Sequence, residues 1–392
     1  MIGKILTMSS MLSFPPVRLT EDSLNLRAEL REFISESRKI LDWKPRSNFM
    51  STFSSEFSKM LGSNGYLGIT WPSQYGGQDR SALDRFVITE ELLAAGAPVA
   101  AHWVAERQSG PLLIRYGNEK QKQVILPKIA SGECYFSIGM SEPNSGSDLA
   151  SIRTRAENTG QSWKITGTKV WTSNAHKNHW MILLARTSPP SEKRHEGMSQ
   201  FLIDLKNDKM QINPIPNMLG QHEFNEVVME EMEIPLDRLI GQEGNGWQQV
   251  TAELAFERSG PERFLSSYNV LLELIKVSGN QQNTEMRKAV GKIVSRLMAL
   301  RTMSISIAGM LERGENPDIA AAVVKDSGND FEQQVIEITR EVLAIEPICK
   351  SKNSQEYESL MADLILQLPS FSFRGGTPEI MRSIIARGLG VR

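Results

Sequence analysis

The apolar pattern of this 392-residue chain changes its period twice, and those two changes bound the folds open to it. Up to about residue 133, apolar residues recur at three- and four-residue steps, as on one face of a helix. Between 134 and 245 the pattern breaks into short β-prone runs separated by Gly, Asn, Asp and Pro. From 246 the helical spacing returns. The order predicts an α+β chain with an N-terminal all-helical domain (1–133), a central small antiparallel β-barrel or sandwich (134–245) and a C-terminal four-helix bundle (246–392).

The first block carries its own punctuation. Leu24, Leu26, Leu30, Phe33, Ile34 and Ile40 give residues 21–62 a helical spacing, and Thr20 before Glu21-Asp22 reads as an N-cap with an acidic first turn. Gly65, Gly68, Pro72, Gly76 and Gly77 form a non-helical connection. Ser81 is a cap for a helix over 81–106, Gly110-Pro111 interrupts, and Asn118 starts a short helix ending near Gly132. Strand-like runs follow at Trp163–Ile165, Lys169–Thr172, Trp180–Ala185, Gln200–Leu205, Met210–Pro214 and Val227–Ile234. Helical runs at 264–278, 284–311, 317–348 and 354–368 make the bundle.

Composition narrows the function classes. Lys plus Arg is 44 and Asp plus Glu is 46, so no basic balance favours nucleic acid. Two cysteines, Cys134 and Cys349, form neither a disulfide framework nor a metal spacing, which fits a reducing compartment. His176 and His179 lie three apart without a nearby third ligand, so no metal site is expected. No run reaches the ~18–20 apolar residues of a membrane span, and the first twenty residues lack a signal-peptide core. They read as a frayed leader in which translation could equally begin at Met8 or Met11, and a cytoplasmic protein is expected.

Residues 135–186 hold the candidate site. A short apolar run, Tyr135 to Met140, opens into Ser141-Glu142-Pro143-Asn144-Ser145-Gly146-Ser147-Asp148, where turn formers and hydroxyls crowd after a strand. Such a loop suits an anionic or hydrogen-bonding ligand, although an unliganded polar hairpin has the same composition. The full string is more specific. Gly139-Met140-Ser141-Glu142, Ser145-Gly146-Ser147-Asp148 and Lys169-Val170-Trp171-Thr172-Ser173-Asn174 closely resemble the flavin-binding signature of acyl-CoA dehydrogenases. The stretch from Gly65 to Gly77 and that from Gln108 to Glu133 are similar to the N-terminal domain of that family, so the resemblance spans nearly the whole chain.

The resemblance implies FAD as cofactor and α,β-dehydrogenation of an acyl-CoA thioester. A glutamate takes the α-proton and the β-hydride goes to flavin N5. It implies an electron-transferring flavoprotein as acceptor and an oligomeric enzyme. It places Met140, Ser141, Gly146, Ser147, Trp171, Thr172 and Ser173 at the flavin, with Ser147 and Arg258 also toward the substrate. Thr172 and Ser173 stand where many relatives have an apolar residue followed by Thr. Thr377 and Glu379 fall where relatives touch the FAD diphosphate or adenine. Many relatives carry the catalytic glutamate just before the closing Gly-Thr; here that position is Gly375. A second family placement, directly before an arginine on the first C-terminal helix, is Glu257 before Arg258, and Glu257 is the expected base. A structural ion pair is its other role.

Two cofactor motifs of the family are missing. Ser278 to Arg287 has no Arg-x-x-Phe-Gly string, and Glu341 to Pro347 has no glycine for a Gln-x-x-Gly-Gly-x-Gly stretch. A homo-oligomer would then hold FAD weakly. The resemblance therefore extends to heteromeric α2β2 members known for steroid side-chain CoA esters, in which a partner supplies the missing motifs. The alternative is a catalytically silent or half-site subunit of such a complex. A flavin monooxygenase on the same fold fits less well, because the Ser-Glu-Pro loop is intact.

Overall fold

The computed structural model describes residues 12–189, 192–206, 209–280, 283–343 and 356–391. The expectations for a leader and for starts at Met8 or Met11 fall outside these residues, as does most of 341–347.

Helix α1 (Glu21–Leu41) begins where the sequence places it: Thr20 Oγ1 accepts the Ser23 N–H at 3.1 Å. Leu26, Leu30 and Ile34, one turn apart, are buried, whereas Leu24 and Ile40 are 49% and 67% exposed. The helical spacing over 21–62 is not one helix. Asp42 turns left-handed (φ 48°) and ends α1, and α2 (Ser55–Ser63) restarts on its own cap, Ser54. Helix α3 (Ala82–Ala94) opens on a reciprocal capping box of Ser81 and Asp84. Helix α4 (Ala100–Val104) runs through a π turn (Ala105–Ser109) into α5 (Gly110–Tyr116). Gly110-Pro111 therefore starts a helix rather than breaking one. Proline lies in the first turn, where no N–H is needed. A Cβ on Gly110 would stand 2.2 Å from the Trp71 indole, so only glycine lets the two approach. Helix α6 (Glu119–Ala130) has the Asn118–Gln121 capping box.

The strands are β1 (Phe136–Gly139), β2 (Arg155–Asn158), β3 (Ser162–Lys169), β4 (Trp180–Arg186), β5 (Met198–Asp204), β6 (Met210–Pro216), β7 (His222–Pro235) and β8 (Leu239–Ile240). They form one sheet in the order β6-β7-β3-β2-β4-β5-β8, with β1 also on β4. Most pairs are antiparallel; β1 and β2 each meet β4 in parallel. Strand β3 stops at Lys169, so Lys169–Thr172 is not a strand: Trp171 and Asn174 take left-handed backbone (φ 59° and 53°). The C-terminal helices are α7 (Gly246–Glu257), α8 (Tyr268–Asn280), α9 (Thr284–Glu312), α10 (Asp318–Leu343), α11 (Glu356–Phe373) and α12 (Pro378–Gly388). Helix α12 follows the closing Gly-Thr turn, with Thr377 as its N-cap and Pro378 in its first turn.

Two compact units result. One holds residues 12–52, 80–98 and 255–391; the other holds 53–79 and 99–254. In the first, α10 packs against α8, α9, α11 and α12, and α3 packs against α1 and α9. Glu90 and Glu91 on α3 gather Arg27 and Arg31 of α1 and Arg301 of α9 into a shielded ion network. Among the described residues α9 alone is long and apolar enough to cross a membrane, with a mean hydropathy of 1.2, and 44% of that window is buried inside the chain. In the second unit, Ile165, Met181, Leu183, Phe201, Ile203, Val227 and Met232 form the sheet's core, with Trp163 edge-on to Phe201.

Candidate active site

The loop after β1 is built on a buried ion pair. Lys169, at the end of β3, is 0% exposed, and its Nζ donates to Glu142 Oε1 at 2.9 Å and to the Met140 carbonyl at 3.0 Å. The Glu142 carboxylate also accepts the N–H groups of Arg153 (2.7 Å) and Thr154 (2.8 Å). Burial opposes the charge on Glu142, but Lys169 and these donors outweigh it and hold the carboxyl below its usual range. Burial pushes the Lys169 ammonium down to about 8, with Glu142 opposing the fall. Met140 and Ser141 are thus tied to the sheet, Ser141 also by its carbonyl, which accepts the Val170 N–H at 2.9 Å.

Beyond Glu142 the chain closes a tight turn. Glu142 and Ser145 exchange backbone hydrogen bonds at 2.8 and 3.0 Å, and Ser145 Oγ donates to the Asp148 carbonyl at 2.7 Å. Gly146 and Ser147 at its tip are exposed, and a Cβ on Gly146 would meet nothing within 4 Å, so the space in front is open. Arg186 on β4 anchors the far side, donating to the carbonyls of Ala150 (2.6 Å), Ile152 (2.9 Å), Arg194 (2.8 Å) and Glu196 (3.1 Å).

Opposite lies the turn that leaves β3. Trp171 is 59% exposed, its ring edge-on to Phe224 at 6.0 Å and 85°. A large indole held on a left-handed backbone and left uncovered by its own chain is costly. Its arrangement fits an aromatic ring ligand, the isoalloxazine of FAD, rather than core packing. Ser173 is half-buried, its carbonyl taking the Ser137 hydroxyl at 2.8 Å. Thr172 turns inward and is 0% exposed, whereas Met140, Ser141, Gly146, Ser147, Trp171 and Ser173 keep accessible surface.

The other expected residues lie in the other unit. Glu257 ends α7; its side chain is outside the described residues. Arg258 follows and is half-buried. Thr377 caps α12, accepting the Ile380 N–H at 3.5 Å, and Glu379 sits exposed in the first turn. Its own backbone N–H and then the Thr377 hydroxyl hold the Glu379 carboxyl below its usual range, a capping arrangement. Gly375 has φ 70°, and a Cβ there would stand 2.8 Å from Arg263 Nη2 and 2.9 Å from its Cζ. The Arg263 guanidinium, 2% exposed, fills the space in front of Gly375. Arg374 beside it pairs with Glu332 at 2.9 Å and lies over the rings of Phe371 and Phe49.

Sequence reasoning missed Lys169, Arg186 and Arg263, whose roles depend on distant partners. Lys169 stood in the Lys169–Asn174 string, but its pairing with Glu142, 27 residues away, has no local signal. The histidines expected to bind no metal have other partners: His176 stacks on His222, and His179 Nδ1 accepts the Tyr135 N–H at 3.1 Å. No group of three metal-ligating side chains occurs among the described residues.

Comparison with known proteins agrees with this geometry. Models for the acyl-CoA dehydrogenase N-terminal, middle and C-terminal domains match residues 20–133, 137–232 and 244–390. Acyl-CoA dehydrogenase FadE29 of Mycobacterium tuberculosis is 31% identical over 94% of this chain and 97% of that protein. Acyl-CoA dehydrogenase IpdE1 of Mycolicibacterium smegmatis is 32% identical over 86% of this chain and 87% of that protein. Among solved structures, the Tcur3481-Tcur3483 steroid ACAD superposes with a TM-score of 0.84 at 28% identity, covering 96% of this chain and 99% of that one. The ChsE4-ChsE5 complex from Mycobacterium tuberculosis gives 0.82 at 27%, covering 96% of this chain and 100% of that one. With all three domains matched over nearly the whole chain, the chain belongs to the acyl-CoA dehydrogenase family, oxidoreductases that use FAD to oxidise acyl-CoA thioesters.

Proposed function

We propose that the chain is the flavin-bearing subunit of a heteromeric acyl-CoA dehydrogenase acting on a bulky, steroid-type acyl-CoA, with Glu257 as base. One observation carries the flavin-bearing role: the uncovered Trp171 indole beside the Ser141–Ser147 loop, both braced by the buried Glu142–Lys169 pair. The heteromeric part is supported by the two missing FAD motifs and by the two-chain ChsE4-ChsE5 complex among the similar structures. The steroid-type substrate is supported by the neighbour named as a steroid ACAD.

Trp171 would stack at the flavin ring, Ser141, Ser147 and Ser173 would hydrogen-bond its polar edge, and Arg258 would meet the substrate. FAD, when bound, accepts the β-hydride, and an electron-transferring flavoprotein takes the electrons onward. Glu257 removes the α-proton of the thioester. Gly375 leaves no carboxylate at the other family position, and the Arg263 guanidinium fills that place. The division 1–133, 134–245 and 246–392 remains the proposed domain plan.

The test is to purify the chain alone and with candidate partner chains. FAD at one equivalent and acyl-CoA oxidation by the chain alone would refute the heteromer. In the active assembly, Glu257→Gln is expected to cut turnover at least about 100-fold, the scale of a lost general base. Unchanged turnover would remove Glu257 from the mechanism and leave the second reading, a catalytically silent subunit, which Gly375 favours.

A further inference from the structure

A side chain outside the signature holds the Trp171 turn. Asn225 on β7 is 0% exposed and meets Thr172 twice. Its backbone carbonyl accepts the Thr172 N–H at 3.0 Å, and its Nδ2 donates to the Thr172 carbonyl at 2.9 Å. The residue between the exposed indole and Ser173 is therefore clasped on both of its backbone polar groups. The flanks are tied as well: the Asn174 N–H reaches the Glu223 carbonyl at 2.7 Å, and Ser137 Oγ reaches the Ser173 carbonyl.

The other end of the Asn225 amide carries a lock. Its Oδ1 lies 3.1 Å from His176 Nδ1 and 2.7 Å from His222 Nε2, and the two imidazoles stack at 3.6 Å and 14°. An amide oxygen only accepts, so both of these ring nitrogens carry hydrogen. With its oxygen committed to two donors, the amide cannot turn over, and Nδ2 stays on the Thr172 carbonyl. A swing of that residue would move the indole on one side and the Ser173 hydroxyl on the other, and displacements near 1 Å at such groups matter.

We propose that Asn225 is a positioning residue for the flavin: clasped to Thr172 and locked by the His176–His222 stack, it sets the Trp171 indole and the Ser173 hydroxyl against the ring. The inference rests on the flavin-bearing reading above. The test uses the FAD-loaded assembly with Asn225→Asp, which keeps an acceptor for the imidazoles but loses the donor to Thr172. A second variant, His222→Phe, keeps a stacked ring and removes one lock, and guards against a misfolded first variant. The readouts are the FAD dissociation constant, the visible circular dichroism of bound flavin and the melting temperature. Asn225→Asp is expected to weaken FAD about tenfold, the ratio of one lost buried hydrogen bond, and to change the flavin dichroism. His222→Phe shifts both in the same direction by less, with melting within a few degrees of the parent. Wild-type FAD affinity and dichroism in both variants overturn the proposal, as does a fall in melting temperature alone. If the parent assembly binds no FAD, the flavin-bearing reading fails and takes this inference with it. FAD held equally by parent and variants defeats only the role of Asn225.

Discussion

Replacing Lys169 with methionine tests what braces the loop after β1. The substitution keeps the length of the side chain and removes its charge, so Glu142 stays buried without its cation. Removing one partner of a buried pair costs about 3–5 kcal/mol. Glu142 still accepts the Arg153 and Thr154 N–H groups, so the lower end, about 3 kcal/mol, is the expected loss. Hydrogen–deuterium exchange of the segment 149–158 reads it directly, because those two amides depend on the carboxylate. At about 1.4 kcal/mol per factor of ten, protection falls roughly 100-fold. The double variant Lys169→Met/Glu142→Gln removes both charges and loses clearly less than the sum of the singles. The sign with pH follows from Lys169. Its folded value, about 8, lies below the ordinary 10.5, so the unfolded chain binds the extra proton between those values. Its contribution to stability therefore rises with pH across that window, by at most about 1.4 kcal/mol per unit, and the methionine variant lacks this rise. Unchanged exchange at 149–158, or strictly additive singles, would refute the account of the loop.

Two further substitutions probe the other unit. Gly375→Glu must place a side chain on left-handed backbone against the Arg263 guanidinium; it is expected to lower the melting temperature and to leave a Glu257→Gln enzyme without turnover. Rescued turnover in that pair would show that the space is free. Arg374→Met strands Glu332, which is 0% exposed, at a cost of about 3 kcal/mol or more measured by urea unfolding; a loss under about 1 kcal/mol would place the pair in solvent-like surroundings.

Much of the helical framework was legible because its signals are local. Thr20, Ser81 and Asn118 each bond an N–H three residues on, so sequence spacing alone locates those starts. Strand β4 was legible because Met181 to Ala185 are all buried and apolar. Strand β2 was not: Arg155, Glu157 and Asn158 are polar and exposed, and pairing with β3 and, at Arg155, with β4 keeps the segment extended. Lys169–Thr172 failed for the opposite reason. Val170, Trp171 and Thr172 all favour strands, yet the chain turns there because Asn225, 53 residues away from Thr172, captures it. The site residues came from a resemblance of strings, whereas their supports, Asn225, Arg186 and Arg263, have no local pattern to read.

The guanidinium beneath Gly375 also constrains how this enzyme could change. A glutamate at 375 alone meets an arginine already in its space, and a smaller residue at 263 alone opens a hole beside Arg374. The two positions touch and are therefore non-additive, while the left-handed backbone at 375 (φ 70°) strains any side chain whatever stands at 263. A carboxylate placed at the closing Gly-Thr turn thus meets a backbone cost that no change at 263 removes. Glycine at 375 is thus held in place by its own backbone as much as by its neighbour.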